Sequence, residues 1–337
     1  MSPPDQPLIS VVLPFRNAEI TLQSAVHSIL NQTFTNFEIL LVDNGSTDKS
    51  PNIALQLARE DTRIRLLREE CTGIVPALNT GLNHAQATYI ARMDADDIAY
   101  PERLVTQLQY LEDHPDIGLI ATQADYGGAQ EAKGFRAYLD WCNQLISHEQ
   151  ISLNRFVDAP LVHPSVMFRK ELLAKYGGYE QGDFPEDFEL WLRWLESGVR
   201  FAKIERPLLR WNDHPERLTR QSARYRPEAF YRIKATYLNR WLRQYNPFYP
   251  EVVIWGGGRK SRQRVALLEA QGSRITAYVD IQAHKTTTRP CITYQDIAPP
   301  GQYFIVSYLA NQGQRKKVKA YLKNKGYVEG VHFLLAA

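Results

Sequence analysis

Cysteine is scarce: Cys71, Cys142 and Cys291 are odd in number, scattered, and show no metal-ligand spacing. A disulfide framework is therefore not expected, and a reducing cytoplasm is the compartment that fits. Long apolar runs are missing too. No stretch approaches the roughly 18 uninterrupted apolar residues of a membrane-spanning helix, so any membrane association is expected to be peripheral, at the cytoplasmic face. Met1 to Pro7 lack the basic start and apolar run of a secretory signal. Nor is there charge of one sign, since 40 Lys and Arg against 37 Asp and Glu leave a net of +3. That is too little to call for nucleic acid as a partner. What is present is ordinary for a globular protein: 44% hydrophobic and 23% charged in 337 residues, chain enough for two cores.

The first half alternates strand and helix signals. Ile9-Ser10-Val11-Val12-Leu13-Pro14 is a β-branched apolar run that suits a strand buried on both faces. Leu22, Ala25, Val26, Ile29 and Leu30 then fall on one helix face. Glu38-Ile39-Leu40-Leu41-Val42-Asp43 reads as a second strand, Ile64-Arg65-Leu66-Leu67 as a third and Tyr89-Ile90-Ala91-Arg92-Met93 as a fourth. This alternation predicts an α/β fold with a mostly parallel, doubly wound sheet. Residues 185–197 predict a deeply buried helix, and 206–243 turn basic and aromatic, with ten Lys and Arg against three Asp and Glu. After Asn246-Pro247-Phe248-Tyr249-Pro250, a linker signal, a new unit begins. There Val252-Val253-Ile254-Trp255, a glycine turn, a helix and a strand ending at Asp280 have the layout of a small Rossmann-like domain. The expected domains are thus 1–220, a segment 221–250, and 251–337.

Three acidic groups carry candidate chemistry. Met93-Asp94-Ala95-Asp96-Asp97 follows an apolar strand, where crowded carboxylates repel unless a cation neutralises them. Oxygen ligands favour Mg²⁺ or Mn²⁺, which commonly clamp a diphosphate; the plainer role is to cap the helix that starts near Pro101. Asp43-Asn44-Gly45-Ser46 closes another strand, where an aspartate can accept from a nucleotide or simply cap the next helix. Pro185-Glu186-Asp187 opens the buried helix, as a helix-dipole cap or as a general base for an acceptor hydroxyl.

In series these residues resemble glycosyltransferase family 2. Val11-Val12-Leu13-Pro14-Phe15-Arg16-Asn17, Ser28-Ile29-Leu30-Asn31-Gln32-Thr33, Val42-Asp43-Asn44-Gly45-Ser46-Thr47-Asp48 and Asn79-Thr80-Gly81-Leu82 are similar to its motifs in order. So are Ala91-Arg92-Met93-Asp94-Ala95-Asp96-Asp97, His163-Pro164-Ser165-Val166-Met167-Phe168-Arg169, Glu186-Asp187 and Arg210-Trp211-Asn212-Asp213-His214-Pro215. The resemblance covers about residues 8–220. It implies a glycosyltransferase-A fold and an inverting, metal-dependent transfer from a nucleotide-sugar to a saccharide or lipid-linked hydroxyl, in polysaccharide or glycoconjugate biosynthesis. UDP is the expected nucleotide from family frequency alone. By the same resemblance Pro14, Phe15 and Arg16 floor the donor pocket, Asp43 and Asn44 contact the base, and Asp94 lies nearer the ribose. Asp96 coordinates Mn²⁺ or Mg²⁺, with Asp94 and His214 as further ligand candidates; His214 equally suits a phosphate contact or a surface turn. Asp187 is the implied general base, Glu186 its orienting neighbour, and His163 and Arg210 line the acceptor side. The family usually has Asp where this chain has Asn44.

The rest stays open. Residues 217–243 suit a solvated amphipathic helix, a membrane-surface contact or binding of a lipid-diphosphate acceptor. Gly256, Gly258 and Ser261, with Asp280 beyond, meet most of a dinucleotide fingerprint and resemble the small domains that begin some sugar acetyltransferases. Lys316, Lys317, Lys319 and Lys323 suit a solvated helix face. A nucleotide-sugar sensor with an inactive catalytic half is the alternative function. A nucleotidyltransferase would need a Gly- and Lys/Arg-rich loop near the N-terminus, which Leu13-Pro14-Phe15-Arg16-Asn17 does not supply. No obligatory protein partner is expected.

Overall fold

The computed structural model describes residues 6–128, 133–215, 217–282 and 289–337; residues 1–5 of the polar start lie outside these. Two compact units make up the chain. The first comprises Met1–Ile151, Leu161–Gly182 and Glu189–Gln221, and the second Ser152–Pro160, Asp183–Phe188 and Ser222–Ala337. All but the first residue of the segment 221–250 belongs with the sheet that follows it, in the second unit.

Strands β1 (Ile9–Phe15), β2 (Phe37–Asp43), β3 (Ile64–Arg68), β4 (Tyr89–Arg92), β5 (Ile98–Ala99), β6 (Ile117–Tyr126), β7 (Met167–Arg169) and β8 (Arg200–Trp211) form one sheet. Its order is β3-β2-β1-β4-β7-β6-β8-β5. Helices α1 (Leu22–Leu30), α2 (Ser50–Glu60), α3 (Ile74–His84), α4 (Arg103–Asp113), α5 (Lys133–Asn143), α6 (His148–Asn154), α7 (Glu171–Tyr176), α8 (Glu186–Glu196) and α9 (Leu218–Gln221) complete this stretch of chain. Every residue of β1 is buried, as its β-branched composition predicts for a central strand. Helix α1 buries Leu22, Ala25, Val26 and Ile29, the face its spacing marks out. From β3 to β4 all pairings are parallel, and so is β6 with β8. The sheet departs from a doubly wound pattern at β7, antiparallel to both β4 and β6, and at β5, antiparallel to β8. The result is a mixed but mostly parallel sheet, as expected of a glycosyltransferase-A fold.

Close packing of α3 on β1 sets the site's floor. A Cβ on Gly81 would lie 2.5 Å from Val12 Cγ1, so only glycine lets the helix approach that strand. Parallel register puts Phe15 beside Asp43 and Val12 beside Arg92. The acidic loops after β2 and β4 therefore leave the same carboxyl edge of the sheet, flanking β1.

In the second unit, α10 (Pro227–Tyr245) starts on a proline, whose missing N–H is harmless in a first turn. It buries Ala229, Lys234, Ala235, Tyr237, Leu238 and Leu242 and exposes Arg232, Arg240 and Arg243. Strands β9 (Glu251–Trp255), β10 (Arg274–Asp280), β11 (Cys291–Thr293), β12 (Ile305–Ser307) and β13 (Phe333–Leu335) pair in the order β11-β10-β9-β12-β13, all parallel. Helices α11 (Arg259–Glu269) and α12 (Gln312–Asn324) are its connections. On α12, Lys316, Lys317 and Lys323 are exposed and Lys319 pairs with Glu329 at 2.5 Å. Among the described residues no helix is long and apolar enough to cross a membrane.

Candidate functional site

Asp94, Asp96 and Asp97 follow β4 in a turn, and one oxygen from each lies within 4.8 Å of the others. They do not cap α4, whose N-cap residue is Glu102. Asp97 is fully buried: Oδ1 accepts the Asn212 backbone N–H at 2.8 Å, while Oδ2 has no hydrogen-bond partner among the described residues. Burial, reinforced by Asp94 and then Asp96, holds its carboxyl well above the usual carboxylate range. A buried anion beside two like charges calls for a cation, and oxygen-only donors suit Mg²⁺ or Mn²⁺. The donor set thus fits a divalent ion.

Basic groups from the protein already address this cluster. Arg92, buried at the end of β4, pairs with Asp94; burial opposes its charge, but Asp94, Tyr179 and Asp97 together push its pKa up. Fully buried Arg103 donates to the Arg92 carbonyl at 2.7 Å and to Gln107 at 3.0 Å. The loop after β8 closes over the acids. Asn212 Nδ2 donates to the Asp96 carbonyl at 2.7 Å, and His214 Nε2 lies 2.7 Å from Asp96 Oδ2. His214 is therefore tied to the metal candidate. Arg217 stacks over Trp211 at 4.3 Å, and Arg220 takes Asp213 with both nitrogens while Tyr126 donates to the same carboxylate. Asn212, Asp213 and Arg217 bear on the site although the sequence assigned them no role. Their only signal was membership of the Arg210-to-Pro215 motif, and Arg217 had not even that.

Asp43 lies across β1 from this cluster and accepts the Ser46 N–H at 3.0 Å. Asn44 is buried and uses both ends of its amide internally, donating to the Cys71 carbonyl at 2.9 Å and accepting from Gly73 N–H at 2.7 Å. It holds the 71–73 loop. Pro14 and Phe15 are buried at the end of β1 and Arg16 is exposed beyond them. Asn17, in the left-handed region at φ 52°, accepts the Thr47 N–H at 2.8 Å and so locks the β1 and β2 loops together.

His163 is buried, 2.6 Å from the Tyr179 hydroxyl and edge-on to Trp191. Burial, then Arg92, lowers its pKa well below that of a free imidazole, so it stays neutral. Arg210 is exposed on β8, opposite Ile98. Glu186 and Asp187 open α8 and belong to the second unit. There Glu186 is 3% exposed and both of its oxygens lie 2.8 Å from the Tyr225 hydroxyl. Asp187 is half-buried and accepts the Phe188 N–H at 2.7 Å.

In the second unit a glycine turn follows β9. Gly256 has φ 108°, open to glycine alone, but Gly257 N–H donates to Asp280 Oδ2 at 2.8 Å. The Asp280 carboxylate thus fastens the turn. No side chain crowds Gly258.

Residues 10–177 match the model of the family "Glycosyl transferase family 2". EpsE of Bacillus subtilis is 30% identical over 224 residues, 65% of this chain and 78% of EpsE. WbnJ of Escherichia coli, an O-antigen biosynthesis glycosyltransferase, is 28% identical over 232 residues, 67% of this chain and 88% of WbnJ. The fold is similar to that of S. aureus TarS 1-349 solved in complex with UDP, at TM-score 0.52 and 18% identity, covering 78% of this chain and 70% of that one.

Proposed function

Because the chain belongs to glycosyl transferase family 2 and is a glycosyltransferase, we propose an inverting, metal-assisted transfer from a UDP-sugar to a saccharide or lipid-linked hydroxyl. The observation that carries the metal is the buried carboxylate oxygen of Asp97 without a hydrogen-bond partner among the described residues, inside a cluster of three acids. Asp96, with Asp94 and His214 beside it, would hold the ion; Asp43 takes the base, above a floor of Pro14, Phe15 and Arg16. A bound divalent cation would supply Lewis-acid stabilisation of the charge growing on the diphosphate. Asp187 accepts the proton of the acceptor hydroxyl, whose oxygen attacks the anomeric carbon. The bond from that carbon to the diphosphate oxygen breaks, and UDP departs with the electron pair. Attack opposite the leaving group inverts the centre, the geometry also used by inverting glycosidases. Polysaccharide or glycoconjugate assembly is supported by the naming of WbnJ, and UDP as the first nucleotide to test by the TarS complex. The bond from Gly257 to Asp280 speaks against a sensor built on the second unit.

The test is calorimetric titration of UDP, GDP and dTDP with Mn²⁺ or EDTA, on wild type and Asp96→Ala. Manganese-dependent binding of UDP, lost in the variant, is expected. Binding indifferent to both EDTA and Asp96→Ala would overturn the metal site.

A further inference from the structure

Within the second unit, the first turn of α8 is gripped by a segment beyond the matched family region. Ser222 Oγ accepts the Arg224 N–H at 3.3 Å and opens a single turn, Ala223–Tyr225. That turn presents Tyr225, whose hydroxyl bridges both oxygens of Glu186 at 2.8 Å, and Arg224, whose guanidinium lies 3.6 Å from the same carboxylate. Phe230 on α10 packs against Phe188 one helical position beyond Asp187, with centroids 5.4 Å apart. The two acids are thus made unlike. Glu186 is buried, with a phenol donor and a guanidinium on it, while its neighbour Asp187 keeps a half-buried carboxylate. Burial, then Glu186 and Asp187, push the Tyr225 phenol well above its ordinary pKa, so it remains a donor.

We propose that Tyr225 is a positioning residue for sugar transfer: with Arg224 it fixes Glu186 as a buried anion, so that α8 presents Asp187 in one orientation. Glu186 then acts on its neighbour through the helix turn and takes no proton itself. The inference rests on the assignment of Asp187 as the general base. A hydrogen bond to a charged carboxylate is among the stronger kind, and its loss removes roughly a factor of ten or more in rate where geometry is limiting.

The assay is UDP release from UDP-glucose, UDP-galactose and UDP-N-acetylglucosamine with water in place of the acceptor, beside UDP titration in Mn²⁺. Tyr225→Phe is expected to lower kcat about tenfold, with the donor KM and UDP affinity within twofold of wild type. In a Glu186→Ala background the same substitution should add nothing, because the acceptor of that bond is already gone. Independent, multiplying effects of the two changes, or a Tyr225→Phe enzyme with wild-type kcat, overturn the proposal. Should Tyr225→Phe fail to fold, the isosteric Glu186→Gln reads the same bond alone, and its unchanged kcat would be equally fatal. Asp187→Asn separates the two levels: turnover retained there removes the general-base assignment, whereas Asp187→Asn inactive beside unaffected Tyr225→Phe removes only the role of Tyr225.

Discussion

One carboxylate oxygen makes the sharpest demand on the chemistry. Among the described residues Asp97 Oδ2 is buried beside two further acids with no donor on it, an arrangement that a bound cation would relieve. Asp97→Asn keeps the shape and removes the charge. It should raise the melting temperature in EDTA by a few degrees and abolish most of the further rise that Mn²⁺ gives wild type. An unaltered response to Mn²⁺, read by thermal denaturation, would leave Asp97 without a part in holding the ion. Buried Arg103 works in the opposite sense. Arg103→Met would strand the Arg92 carbonyl and Gln107, destabilising by about 1–3 kcal/mol in urea unfolding. The acids themselves were legible in the sequence, since carboxylates crowded after an apolar strand are a local pattern. Not all of their partners were: the resemblance named His214, but Asn212 comes from more than a hundred residues away, and Tyr225 reaches Glu186 across 39. A hydroxyl in a distant turn leaves no periodic trace.

Among the elements, those that bury one continuous apolar face could be read directly. Strands β1, β2 and β4 and helix α1 stand within a residue or so of where their periodicity put them. The directions of β5 and β7 could not be foreseen, because a strand of two or three residues takes its partner from the whole sheet. Helix α3 shows how an element's position hangs on a single atom. Gly81→Ala places a methyl 2.5 Å from Val12 Cγ1, so α3 must retreat from the strand at a cost of about 1–3 kcal/mol. The melting temperature should fall, and UDP affinity with it, since the loops after β1 and β4 sit at that strand's end. A variant with wild-type stability would show that α3 does not set the floor.

For the whole molecule, one lysine sets a pH dependence. Lys234 on α10 is 3% exposed. Burial, opposed by Asp158 and aided by Arg264 and Arg315, brings its pKa down to about 7. The unfolded chain holds that proton up to about pH 10.4, so between the two values unfolding takes up a proton and stability rises with pH. Below pH 7 both states are protonated and the slope vanishes. Urea denaturation at pH 7, 8 and 9 should show the rise in wild type and its loss in Lys234→Met; parallel slopes would discharge Lys234 of the effect. The two units are also interleaved along the chain. Residues 152–160 and 183–188 of the second leave the ribosome before strand β8 of the first. Neither unit is then a cassette that synthesis can finish and set aside. A cut anywhere in 212–221 would leave two pieces of the second unit on the upstream fragment, so loss or exchange of the C-terminal third, in the laboratory or in a genome, disturbs the first turn of α8, where Asp187 lies.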